Sequence, residues 1–132
     1  MKKIHVVASV VFNSTGQVFL TKRALKAHQG GLWEFPGGKV EADESCFCAL
    51  QRELLEELGI EINSAEAFIS IPFEYPDKAI LLDVFTVDDY QGEPWGKEGQ
   101  QGAWFALADL AQLQFPAANE PILEKLRLVY AK

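Results

Sequence analysis

Residues Gly37 to Ile60 read GGKVEADESCFCALQRELLEELGI, and the charge pattern of the second half decides how the chain is read. At about 100° per residue, Phe47, Leu50, Leu54 and Leu58 fall within an arc of roughly 80°, which predicts an amphipathic helix with one buried stripe. Glu53, Glu56 and Glu57 fill a second arc of similar width, whose Glu57 edge lies only about 20° from Leu50. A solvated face would alternate signs and point away from the core. Each like-charged pair at this spacing costs a few tenths of a kcal/mol in water. Partly buried, at an effective dielectric near 20 and about 6 Å apart, a pair repels by roughly 3 kcal/mol. Arg52 reaches Glu56 one turn on, but one guanidinium cannot neutralise three carboxylates, and no lysine shares that face. A divalent cation can, because hard ions such as Mg²⁺ prefer oxygen ligands and bind through a few carboxylates together with substrate phosphates. The competing reading is an acidic surface helix.

The spacing sharpens the choice. Gly38, five residues, Glu44, seven residues, Arg52-Glu53, aliphatic Leu54, one residue, Glu56-Glu57, one residue, Gly59 and aliphatic Ile60 follow one another in that order. This pattern resembles the Nudix box. Seven of its positions demand a single residue type, so a chance match is rarer than roughly one in 10⁸ per starting point. A phosphate loop is a poor alternative: in Gly37-Gly38-Lys39, Val40 stands where Ser or Thr is needed and the first Gly is missing.

The resemblance implies a Nudix fold and metal-assisted cleavage of a nucleoside diphosphate linked to another group, with Mg²⁺ as the metal and Mn²⁺ as a substitute. In that family the carbonyl matching Gly37 and the carboxylates matching Glu53, Glu56 and Glu57 hold the metal, while glycines such as Gly38 shape a loop beneath the phosphates. Arg52 then orients a neighbouring glutamate, and Glu44 is a peripheral member of the cluster. The local alternative for Glu44 is an acid in the first helical turn, favoured by the helix dipole.

Beyond the box, GEPWGKEGQ (Gly92 to Gln100) and FPAANEPI (Phe115 to Ile122) look like segments of the MutT-type branch, which hydrolyses 8-oxo-dGTP. There the residue matching Glu98 joins the metal site from a loop, and the one matching Asn119 reads the base. Residues matching Arg23, His28, Glu34, Phe35, Pro36 and Gly37 line the nucleotide site, and one matching Asp77 lies near it. Glu53 and Glu98 both stand as candidate bases. GLWEF (Gly31 to Phe35) also resembles Nudix members acting on cytidine triphosphates, so CTP or a modified pyrimidine nucleotide is the alternative substrate. A non-catalytic nucleotide sensor on the same fold is the alternative of another class.

Asn119 has two readings. Followed by Glu120-Pro121, it is a good helix cap. Its amide also suits an oxidised purine: guanine presents two acceptors at O6 and N7, whereas 8-oxoguanine carries hydrogen on N7 and offers acceptor beside donor.

The whole chain agrees with a small-molecule enzyme. At 132 residues and 48% hydrophobic content, it predicts one globular domain over 1–132. A net charge of −7 argues against polymeric nucleic acid, which needs a basic face. No apolar run is long enough for a membrane helix. MKKIHVVASVVF is too short and too polar at His5 for an export leader, and reads as a first strand. Cys46 and Cys48 project roughly 200° apart on the helix and cannot bond to each other; two free thiols fit a reducing cytoplasm. A cytoplasmic monomer is expected.

Strands are expected at His5 to Phe12 and Gln17 to Arg23, joined as a hairpin, and at Ala67 to Phe73, Ala79 to Val87 and Ala103 to Leu107. The run AILLDVFTV, apolar on both faces, belongs at the centre of its sheet. Asn119 and Pro121 open a last helix with Ile122, Leu126, Val129 and Tyr130 on one face. Together these elements predict an α/β/α sandwich with a mixed sheet.

Overall fold

In chain order the elements are β1 (Lys2–Phe12), β2 (Val18–Lys22), β3 (Trp33–Glu34), β4 (Gly37–Lys39), α1 (Cys46–Leu58), β5 (Glu61–Ile62), β6 (Glu66–Tyr75), β7 (Lys78–Val87), β8 (Tyr90–Gln91), β9 (Gln101–Phe105) and α2 (Glu120–Tyr130). Short 3₁₀ helices occupy Leu107–Gln112 and Ala117–Asn119. The computed structural model describes residues 2–23 and 31–130.

β1 is the axis of a mixed sheet. On one side it runs parallel to β7, from Lys2 beside Lys78 to Val11 beside Val87. On the other it pairs antiparallel with β4 through Val6 to Ala8, and with β2 through Val11 and Phe12. β3 and β9 pair with β2, and β6 closes the far edge beside β7. β5 and β8 form a separate two-stranded pair. The run expected at the sheet centre is β7, flanked by β1 and β6. The opening hairpin forms as expected, with the Asn13 side chain accepting from the N–H groups of Thr15 and Gln17 across the turn.

Alternate residues of each strand face opposite layers. Val7, Val11, Phe19 and Val87 pack against Ala49, Leu50, Leu54 and Leu58 of α1. Ala8, Val10, Leu20, Leu82 and Val84 pack against Ile122 and Leu126 of α2 and Leu110 of the first 3₁₀ helix. The expected α/β/α sandwich is the result. Leu50, Leu54 and Leu58 are fully buried, so truncating any one of them costs about 2–5 kcal/mol.

Two expectations need correction. Leu107 ends no strand: β9 covers Gln101–Phe105, and Leu107 starts a 3₁₀ helix. On α2, Val129 is 54% exposed and lies off the buried face, where Leu123 packs instead. Tyr130 is only at the margin, its ring meeting Phe12 and Phe68. No helix among the described residues is long and apolar enough to cross a membrane.

Candidate active site

Both ends of α1 are capped. Ser45 caps it, its side chain accepting from the Cys48 N–H at 3.1 Å. Gly59 stops it in the left-handed region at φ 72°, returning its N–H to the Leu55 carbonyl. Glu44 therefore precedes the helix and is not in its first turn, so the dipole reading of this residue falls away. The loop after β8 satisfies two more carbonyls at the C-terminal end. The N–H groups of Trp95 and Lys97 donate to Leu58 and Glu57, and the Gln100 side chain donates to Glu57 as well. That docking carries Glu98, itself exposed, to the acidic end of the helix.

Glu57 is the centre of the electrostatics. It is 9% exposed, as its place beside the apolar stripe predicts. Burial, then the charges of Glu34, Glu53 and Glu98, push its carboxyl up to about 9, and it donates a hydrogen bond to Glu53. The influences that weigh most on it all raise it. Glu53 is raised by burial too, but Arg52 counters. The Arg52 guanidinium is a clamp: it donates to Glu44 at 2.7 and 2.9 Å, to Glu53 at 2.8 Å, to Glu56 at 3.4 Å and to the Lys39 carbonyl at 3.0 Å. Hydrogen bonds from Arg52, and then from the Glu41 N–H, hold Glu44 down to about 2. Glu56 is half exposed at the outer edge. No three of these acids bring oxygens within 4.8 Å of one another among the described residues.

Across Gly38 from Glu53 lies a cavity of about 330 Å³, a size suited to a small ligand. Arg23, Glu34, Phe35, Gly37, Gly38 and Asn119 line it. Glu34 is raised by burial and partly relieved by Arg23 at 2.6 Å. Phe35 stacks on Phe115 with ring centroids 5.4 Å apart. Gly38 is where cavity and acids meet, since a Cβ there would lie 2.3 Å from the Glu53 carboxylate. Pro36 is buried but off the cavity wall, its carbonyl accepting from the Ser9 N–H and hydroxyl at 2.8 Å each. Asp77 is exposed in the β6–β7 turn, next to Lys78, which does line the cavity. Asn119 immediately precedes α2, where a cap would sit, and is also on the cavity wall. His28 lies outside the described residues.

Lys39, Lys78 and Tyr75 also line the cavity, and sequence reasoning missed them. Lys39 was visible only as the tail of a rejected phosphate loop. Lys78 arrives through the parallel register that sets it beside Lys2, a pairing that no local pattern announces. Glu34 was expected to touch nucleotide, and its charge also bears on Glu57.

Residues 7–125 match the family model described as NUDIX domain. An 8-oxo-dGTP diphosphatase of Escherichia coli strain K12 is 42% identical over 127 residues, covering 96% of this chain and 98% of that protein. A CTP pyrophosphohydrolase of the same organism is 40% identical, covering 94% and 91%. A solved MutT chain from work on Aliivibrio salmonicida and Vibrio cholerae superimposes with a TM-score of 0.81 at 44% identity, covering 93% and 94%. With Arg52 joining Glu44, Glu53 and Glu56 of the box and the match running nearly end to end, the chain belongs to the Nudix hydrolase family.

Proposed function

We propose that the protein is a Mg²⁺-dependent nucleoside triphosphate pyrophosphohydrolase that converts 8-oxo-dGTP to 8-oxo-dGMP and pyrophosphate, clearing a mispairing precursor from the nucleotide pool. The observation that carries this reading is Glu57, a buried carboxyl facing Glu34, Glu53 and Glu98 and pushed up by burial and by all three. An all-oxygen donor set fits Mg²⁺, with Mn²⁺ as a substitute. Glu53, Glu56, Glu57, Glu98 and the Gly37 carbonyl are the groups that would hold it. When bound, the ion neutralises charge developing on phosphate oxygens and lowers the pKa of the attacking water.

The chain itself supplies position and a proton acceptor. Lys39 and Lys78 draw a polyphosphate into a cavity of an otherwise acidic protein. Glu53, held by Arg52, or Glu98 takes the proton from water. Arg52→Lys keeps the charge and loses the planar fork that holds Glu44, Glu53 and Glu56 together. Its kcat should fall about 10- to 100-fold with KM little changed, as measured by pyrophosphate release. An unchanged kcat would remove Arg52 from the positioning role.

Asn119 offers one NH₂ and one C=O, which pair with 8-oxoguanine and mispair with guanine. A buried mismatch of this kind is worth about 1–3 kcal/mol, at most about a hundredfold. Asn119→Ala should therefore raise KM selectively for 8-oxo-dGTP; a lower Tm with unchanged selectivity would make Asn119 only a cap. Incubation with Mg²⁺ and 8-oxo-dGTP, dGTP, dATP or CTP, scoring pyrophosphate against phosphate, tests the whole reading. Equal rates on dGTP and its oxidised form would end the sanitising claim. Preference for CTP would favour the second reading, which the 40% identical CTP pyrophosphohydrolase supports. We infer a cytoplasmic monomer as the working form, with no polymeric nucleic acid or membrane partner.

A further inference from the structure

We propose a second metal site, built from His5, Cys46 and Asp83 and suited to zinc, at the opposite end of α1 from Glu57. Three elements converge there. The parallel β1–β7 register sets His5 beside Leu81, which brings Asp83, two residues on and on the same face, within reach. Cys46 is the first residue of α1. His5 Nε2 and Asp83 Oδ2 are 2.6 Å apart, and Cys46 Sγ lies 3.7 Å from the first and 3.8 Å from the second.

These lengths are close to those of a tetrahedral zinc site. With Zn–S near 2.3 Å and Zn–N or Zn–O about 2.0–2.1 Å, donor–donor edges of about 3.4–3.6 Å follow. The two sulfur edges already sit within about 0.3 Å of that, and the His–Asp hydrogen bond need open by less than about 1 Å. A nucleophilic relay fits worse. Such a relay uses the two imidazole nitrogens separately, whereas Cys46 and Asp83 both face Nε2. A mixed nitrogen, sulfur and oxygen set selects a borderline ion over Mg²⁺, so the site is chemically distinct from the all-oxygen cluster. Asp83 also accepts from Ser70 on β6, an outer partner that fixes a carboxylate ligand. His5 and Asp83 side chains are 37% and 23% exposed, which leaves a fourth position open to solvent. None of the three lines the nucleotide cavity.

Cobalt is the probe. Full-length protein, reduced, stripped of metal and then saturated with Mg²⁺, is titrated with Co²⁺ and followed by absorbance. One equivalent should bind with a thiolate-to-cobalt charge-transfer band in the near ultraviolet, reversed by added Zn²⁺. Cys46→Ser should abolish the band, and Asp83→Asn and His5→Gln should weaken affinity about tenfold or more. Cys48→Ser and Glu57→Gln should leave the band in place. Absence of a band, its survival in Cys46→Ser, or its loss in Cys48→Ser or Glu57→Gln would overturn the site. Melting curves of each metal-free variant check that it is folded, and Zn²⁺ should raise Tm for the parent chain but not for Cys46→Ser. Equal zinc-induced shifts in both would also count against it.

Discussion

Glu57→Gln should lower kcat by about 10³-fold or more and, in the same protein without metal, raise the melting temperature at pH 7. The first effect follows from removing a charge that a divalent ion needs; about 4 kcal/mol of lost transition-state stabilisation is a thousandfold in rate. The second follows from linkage. The folded carboxyl titrates at about 9, while an unfolded one titrates near its ordinary value of 4.5. Between those limits the folded protein retains a proton that the unfolded chain has released. The metal-free fold thus loses stability as pH climbs from about 4.5 towards 9, by about 3 kcal/mol at pH 7. Glutamine has no such proton, and its amide can donate to Glu53 as the protonated acid does. Thermal melts should therefore show the variant about 10 °C above the parent at pH 7, with the gap closing near pH 4.5. Added Mg²⁺ should raise the parent's Tm and leave the variant's nearly where it was. Coincident melts across the whole pH range would mean that Glu57 is not strained by its neighbours, and the metal reading would lose its foundation.

The two adjacent glycines should separate activity from stability. At Gly38 an added Cβ would sit 2.3 Å from the Glu53 carboxylate, the movable end of a side chain. Gly38→Ala should fold well and displace Glu53. A misplacement of about 1 Å in a catalytic group costs on the order of a hundredfold, and that loss is expected in kcat. At Gly37 the Cβ would sit 2.0 Å from the Val7 carbonyl oxygen, and backbone cannot swing aside. β1 and β4 would have to part where Ala8 pairs with Gly37. Gly37→Ala should lose about 3 kcal/mol, or roughly 10 °C in Tm. If Gly38→Ala retained full turnover, Glu53 would not be held where the chemistry needs it.

What could be read in advance was local. The stripe of Leu50, Leu54 and Leu58 and the burial of Glu57 lie within one helix, where a period of 3.6 converts spacing directly into direction. The hairpin and the central strand were legible for the same reason. β3 and β4 were not, since two or three residues carry no periodic signal and take their strand geometry from β2 and β1. Lys78 in the cavity and Asp83 beside His5 depend on the β1–β7 register, and Tyr75 on the hairpin that β6 forms with β7. Val129 keeps the helical period but stands on the far side of Ile122 from Leu123, at the edge of a buried face that is centred nearer Leu126.

The β1–β7 pairing also dictates when this protein can become itself during translation. Lys2 to Val11 find their parallel partners only in Lys78 to Val87, so a nascent chain must hold VVASVVF unmatched on one side until the later strand clears the ribosome. Closing so long a loop is slow. Premature termination before Lys78 should accordingly release a fragment with a bare, strongly apolar edge, prone to aggregate.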